Sequence, residues 1–162
     1  MRKYGSCGTV ETAVRNASRV RRIGFNSMGA FTGGAKEAHA AALPYVRFVP
    51  LGDVKRIPTA RGLFDPFDEA SVRAVEKAME KVRETADDPL LLGYYLENEQ
   101  AFEDLPRAIS GMDGTWAAKR AFAASGTNME AFVETFLERY YSLIERHFRA
   151  NDPNHLLIGN RW

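Results

Sequence analysis

Apolar positions along this chain alternate between helical spacing and short continuous runs. Val10, Val14 and Val20 stand among charges over residues 9–22 and predict a helix. Ile23-Gly24-Phe25-Asn26-Ser27-Met28-Gly29 then reads as a short strand leading into a glycine-containing loop. The alanine-rich residues 36–42 predict a helix, and Tyr45-Val46-Arg47-Phe48-Val49-Pro50-Leu51 a strand, from its β-branched and aromatic content.

Asp65-Pro66-Phe67-Asp68 carries the marks of a helix start: a capping acid, a proline at a tolerated first position and acids in the first turn. Val72, Val75, Met79 and Val82 continue that helix to about residue 86, where Asp87-Asp88-Pro89 stops it. Leu90-Leu91-Leu92-Gly93-Tyr94-Tyr95-Leu96 is a continuous apolar run, the pattern of a strand buried on both faces. With Pro106, Gly111 and Gly114, residues 102–115 read as irregular, and residues 116–124 as helical. Thr127-Asn128-Met129-Glu130 suggests a capping box for the longest helix. Its stripe of Phe132, Phe136, Tyr140, Ile144 and Phe148 buries one broad face. Asn151-Asp152-Pro153 ends that helix, and His155-Leu156-Leu157-Ile158-Gly159 is a fourth strand candidate.

Strands alternating with helices imply right-handed βαβ units and a parallel sheet, so the chain is α/β. A closed eight-stranded barrel needs about 250 residues. These 162 residues are expected to form one domain, either a small open sheet or part of a barrel.

Composition narrows the partners. A net charge of +1 gives no general pull toward nucleic acid or anionic lipid. Cys7 is the only cysteine, which excludes an intramolecular disulfide. Residues 2–8 lack the apolar segment of a secretory signal, and no run approaches the roughly 18 apolar residues of a membrane span. The chain therefore reads as soluble, without a signal peptide and cytoplasmic as given, although a longer parent could be secreted.

The chemistry concentrates where the apolar run meets Glu97-Asn98-Glu99. Parallel sheets place their sites at the carboxyl ends of strands. A carboxylic acid beside apolar and aromatic groups can hold a proton toward neutral pH and give it to a leaving group. The alternative is that these acids cap the next helix or stand in solvent. Gly29-Ala30-Phe31-Thr32-Gly33-Gly34-Ala35-Lys36 has an extra residue before the lysine and no Ser or Thr after it, which favours a βα loop over a phosphate-binding loop. His39, His147 and His155 lack metal-ligand spacing; helix packing suits His147 and a strand-entry hydrogen bond suits His155. Asn160, Arg161 and Trp162 could bind and stack on a sugar or could form a frayed end, and Asn26 is a further hydroxyl ligand candidate. Trp116 reads as core.

The sequence Leu92-Gly93-Tyr94-Tyr95-Leu96-Glu97-Asn98-Glu99 resembles the fourth-strand motif of retaining glycoside hydrolases of the large (β/α)8-barrel clan, in particular β-agarase and β-galactosidase-like families. Arg22-Ile23-Gly24-Phe25-Asn26-Ser27-Met28-Gly29 resembles that clan's second strand, and Asp65-Pro66-Phe67-Asp68 the start of the helix before strand four. Asp152-Pro153-Asn154-His155-Leu156-Leu157-Ile158-Gly159-Asn160-Arg161-Trp162 is similar to the fifth-strand signature. The resemblance implies a partial TIM barrel of about four βα units, strands two to five, with parallel strands. It implies Glu99 as acid/base, Asn98 as a sugar-binding amide and Glu97 as a supporting acid. The substrate would be a β-galactosidic, agarose- or galactan-like polysaccharide or oligosaccharide.

The clan's nucleophilic glutamate sits on strand seven, and no residue here matches it. Retaining hydrolysis needs two carboxylates about 5–5.5 Å apart. Glu97 leaves the same strand as Glu99 and is a poor substitute, so stand-alone hydrolysis is not expected. The second expectation is a non-catalytic α/β module that binds carbohydrate or another protein. Exposed sheet edges would favour self-association or a complementing chain. Neither reading calls for a metal or an organic cofactor.

Overall fold

The computed structural model describes residues 9–32 and 34–162. The expectations for residues 2–8, Cys7 among them, and for Gly33 lie outside the described residues.

Helix α1 (Thr9–Arg22) forms where the valine spacing places it and buries Ala17. The strand expected next is a correction. Ile23, Gly24 and Phe25 donate their N–H groups back to the carbonyls of Arg19, Arg21 and Val20 at 3.0, 3.1 and 3.2 Å. Gly24 sits at φ +102°, so the segment closes the helix instead of extending. Met28 then makes one isolated parallel bridge to Tyr45. Helix α2 (Ala35–Ala41) is tied to α1 through Arg21, whose Nη1 donates to the Ala41 and Ala42 carbonyls at 2.7 and 3.0 Å.

Strand β1 (Tyr45–Phe48) is shorter than expected, because Pro50 has no N–H to continue the ladder. Helix α3 (Glu69–Met79) runs into a 3-10 turn over Glu80–Thr85. Its cap is Asp68, which accepts from the Ser71 N–H at 2.9 Å, not Asp65. Asp65 is buried and accepts from the N–H groups of Phe67 and Ala118 at 2.9 and 2.8 Å.

Strand β2 (Leu91–Asn98) is followed by helix α4 (Leu105–Gly111), inside a region expected to be irregular. Pro106 lies in its first turn, where a missing N–H costs nothing. Helix α5 (Ala117–Ser125) precedes helix α6 (Met129–Asn151). The Asn128 side chain caps α6 by accepting from the Ala131 N–H at 2.9 Å, so a plain cap replaces the expected box. Strand β3 (Leu156–Arg161) completes the fold.

The three strands form one parallel sheet in the order β1-β2-β3, with β2 in the centre. Among the described residues the architecture is thus α/β with three strands, and Met28 bridges to Tyr45 where a fourth strand was expected. Phe132, Phe136, Tyr140, Ile144 and Phe148 are all buried. Phe148 meets the β2 residue Tyr94 edge-on at 5.4 Å, which fixes the long helix against the central strand. At Gly93 the partner strand comes so close that a Cβ would collide with the Leu156 carbonyl.

The amino ends of the strands are joined by a polar network. Asp88 accepts from the Tyr45 hydroxyl at 2.8 Å and the Leu90 N–H at 2.9 Å, and pairs with His39 Nε2 at 2.9 Å. Burial opposes its ionisation, but the hydrogen bonds outweigh burial and hold its carboxyl below the ordinary range. His155, at the entry of β3, bonds Asp152 through Nδ1 at 2.8 Å and the Asp88 carbonyl through Nε2 at 3.0 Å. The expected strand-entry role of His155 is therefore seen directly. Among the described residues no helix is long and apolar enough to cross a membrane.

Candidate functional site

At the opposite, carboxyl end of the sheet, each member of Glu97-Asn98-Glu99 meets an arginine from elsewhere in the chain. Arg56, in the loop after β1, contacts Glu97 Oε1 at 2.5 Å through Nη2. The same guanidinium donates to the carbonyls of Gly62 and Leu51 at 2.8 and 3.0 Å, so it also fixes its own loop. Arg161, the last residue of β3, donates from Nη1 to Asn98 Oδ1 at 2.6 Å. Arg61 donates to the Glu99 carbonyl from Nε at 3.1 Å and from Nη2 at 2.8 Å, and Nη2 lies 3.7 Å from the Glu99 carboxylate.

Glu99 forms a bend at the strand's end. Its N–H continues the ladder to the Arg161 carbonyl at 2.8 Å, yet its φ is +49°. A side chain in this left-handed region is strained, and such strain concentrates at functional positions. The Glu99 side chain remains 51% exposed. Its carboxylate is open to solvent, while Arg56 pairs with Glu97 beside it.

Glu97, Asn98 and Arg56 line a cavity of about 300 Å³ whose apolar wall includes Phe31, Phe48 and Leu51. Phe31 lies 5.0 Å from the Phe48 ring, and the Arg161 guanidinium stands 5.1 Å over Phe31. Charged donors, a carboxylate and an amide thus border an aromatic surface. That combination suits a polyhydroxylated ligand with one apolar face.

The remaining predicted residues separate. Asn160 donates from Nδ2 to the Tyr141 hydroxyl at 2.7 Å, and its Oδ1 is a buried oxygen with no hydrogen-bond partner among the described residues. Trp162 is 71% exposed, with its ring 5.8 Å from Phe102. Asn26 does not join the group. It precedes the Met28 bridge to Tyr45, which pairs with Leu91 at the start of β2. Seven residues of strand, roughly 23 Å, separate that level from Asn98.

Several residues here carried no signal in the sequence. Arg56 and Arg61 come from a loop, and only their position after a strand end hints at the acids they meet. Gln100 is buried and donates from Nε2 to the Gly62 carbonyl at 2.8 Å and the Tyr140 hydroxyl at 2.7 Å. Burial pushes the Tyr140 phenol well up, against the opposing Gln100 bond, so it stays a neutral hydroxyl. Among the described residues no cluster of three or more His, Cys, Asp or Glu side chains is placed to hold a metal ion.

No protein-family model matches this chain, and no curated protein does. Solved structures do. The agarase AgWH50C matches 99% of this chain with a TM-score of 0.75 and 20% identity. An exo-β-agarase matches 99% of it with a TM-score of 0.75 and 17% identity. The chain spans 29% and 30% of those two proteins, less than a third of their length. At this identity the likeness is one of fold: the chain has the fold of part of these agarases.

Proposed function

We propose that this chain is the acid/base-bearing part of a retaining β-glycosidase acting on agarose- or galactan-like chains. The observation that carries the reading is Glu99, a strained and half-exposed carboxylate at the carboxyl end of the central parallel strand. Glu99 protonates the departing glycosidic oxygen and then takes a proton from the attacking water. Asn98, fixed at Oδ1 by Arg161, offers its amide hydrogens to a sugar oxygen beside that bond. Glu97 and Arg56 form the neutral polar wall, and Arg161, which stands over Phe31, extends the sugar contacts at the end of β3.

In this reading the sheet belongs to a larger (β/α)8 barrel, and the nucleophile stands on a segment outside these 162 residues. That segment, or a complementing chain, docks at the free edge of β3 and over the sheet face on which Leu156 and Ile158 are exposed. The match to agarase structures over nearly the whole chain supports the substrate class.

The test uses a protein that carries both this chain and the nucleophile segment. Glu99→Gln is expected to abolish hydrolysis of a polysaccharide, whose leaving group needs a proton. An aryl glycoside with an activated leaving group should still release its phenol in a burst, and azide should restore turnover. Unchanged polysaccharide hydrolysis in Glu99→Gln would overturn the assignment.

A further inference from the structure

Another cavity lies apart from the shelf that Glu97, Asn98 and Glu99 form at the end of β2. It measures about 610 Å³, and its walls include Ile57, Thr59, Asp104, Arg107, Met112 and Trp116. Ile57 and Thr59 come from the loop that leaves the carboxyl end of β1, Asp104 from the loop that leaves β2, Arg107 from α4, and Met112 and Trp116 from the segment between α4 and α5. The two loops are joined where the Ala101 N–H donates to the Arg61 carbonyl at 3.0 Å. Arg61 itself reaches Glu99, two residues beyond Thr59. The cavity is thus a neighbour of the shelf and not a part of it.

Its walls are set before any ligand arrives. Lys119 Nζ donates to the Ser110 carbonyl at 2.7 Å, which ties α5 to the end of α4. Arg120 Nη1 donates to the carbonyls of Gly114 and Thr115 at 2.9 and 2.6 Å. These bonds order the segment between α4 and α5, which lowers the entropic cost of binding.

The chemistry of the lining selects the ligand. Trp116 is half-buried. Lys55 Nζ stands 4.4 Å from its ring centroid but belongs to a separate small cavity with Asp65 and Ser71. The large cavity reaches the indole without Lys55. Arg107, Asp104, Thr59 and Asp113 line the same cavity as Trp116. Hydrogen bonds from the Thr115 side chain and N–H hold the Asp113 carboxyl below the ordinary range, so it is an acceptor. An anion would meet two carboxylates here, and a cation would meet Arg107. A neutral polyol satisfies both signs, since each hydroxyl donates and accepts. An aromatic wall adds a surface for the apolar face of a sugar ring.

We propose that this cavity is a second carbohydrate site, which takes neutral sugar units of a chain whose other units lie on the Glu99 shelf. The proposal rests on the carbohydrate reading of that shelf. It makes the protein a reader of chain length: a short oligosaccharide occupies the shelf alone, and a longer one engages both places.

Calorimetric titration of this chain with a neutral agarose-derived disaccharide and hexasaccharide tests it. Arg107→Ala and Trp116→Phe are each expected to weaken hexasaccharide binding by about tenfold, the scale of one charge-assisted hydrogen bond or stacking contact. Disaccharide affinity should stay within experimental error for both, whereas Asn98→Ala should weaken both ligands. Arg107 is exposed, so its variant keeps the fold if Trp116→Phe does not, and circular dichroism checks each. In a Trp162→Phe background, quenching of Trp116 emission by the hexasaccharide reports occupancy directly. If Arg107→Ala and Trp116→Phe bind the hexasaccharide as the parent does while Asn98→Ala does not, the cavity proposal fails and the shelf reading stands. If the cavity variants lose the hexasaccharide and Asn98→Ala binds normally, the shelf reading fails and the cavity is a site in its own right. No binding of either sugar would overturn both.

Discussion

Arg161 Nη1 donates to Asn98 Oδ1 at 2.6 Å, across the pair that closes the β2–β3 ladder. The contact joins the end of the central strand to the end of its neighbour and sets which end of the amide faces the arginine. A hydrogen bond to a charged donor at a half-buried site contributes about 1.5–3 kcal/mol. A double-mutant cycle of Asn98→Ala and Arg161→Ala, read by urea unfolding, should return a coupling energy near the lower end of that range. Simple additivity would show that the two side chains do not act together.

Glu99 leads to a prediction in which stability and activity move in opposite directions. Its φ of +49° is a conformation that glycine adopts without strain. The principal fixings of Glu99 are to backbone atoms, its carbonyl to Arg61 and its N–H to Arg161. Glu99→Gly keeps them. The variant is expected to gain about 1 kcal/mol in denaturant unfolding and, on the role proposed for Glu99, to lose polysaccharide hydrolysis in a protein that also carries the nucleophile segment.

Gly93 gives the reverse case. Gly93→Ala places a methyl carbon against the Leu156 carbonyl and 2.8 Å from its Cβ, and backbone cannot swing aside as a side-chain tip can. Overpacking of this kind costs about 1–3 kcal/mol. A lowered melting temperature, with faster amide exchange at β3, is the expected outcome.

Asp88 sets the acid limb of stability. Its folded-state carboxyl is held below the ordinary value of about 3.9, so it stabilises the fold above that value. The contribution is lost as pH falls through the lowered folded value. Asp88→Asn should be less stable than the parent at neutral pH and show a flatter decline below about pH 4. Parallel curves from thermal melts at several acid pH values would contradict this.

What the sequence disclosed follows from the range of the forces involved. β2, β3, α3 and α6 were legible because runs and stripes such as Phe132 to Phe148 encode burial along one element. The first strand was not, because Ile23-Gly24-Phe25 has strand composition while its N–H groups fold back onto α1. α4 was missed because Pro106 breaks helices everywhere except in the first turn, and position within an unseen helix cannot be read in advance. The acids were found at the strand end, but not the arginines that meet them. Arg61 lies 38 residues from Glu99, and Arg161 lies 63 from Asn98, so their meeting is a product of topology. Trp116 does pack against the core, as its apolar bulk suggested, and it lines a cavity as well, which the local pattern does not disclose.

Asp88 joins His39, Tyr45 and Leu90 through its carboxylate and His155 through its carbonyl. One residue therefore clasps a helix and the entries of all three strands. The far ends of those strands are held by arginines on longer tethers. The molecule is a bouquet, bound tightly at the stems and open at the blooms. Substitutions among the blooms can recast what is recognised while the binding at the stems keeps the arrangement intact.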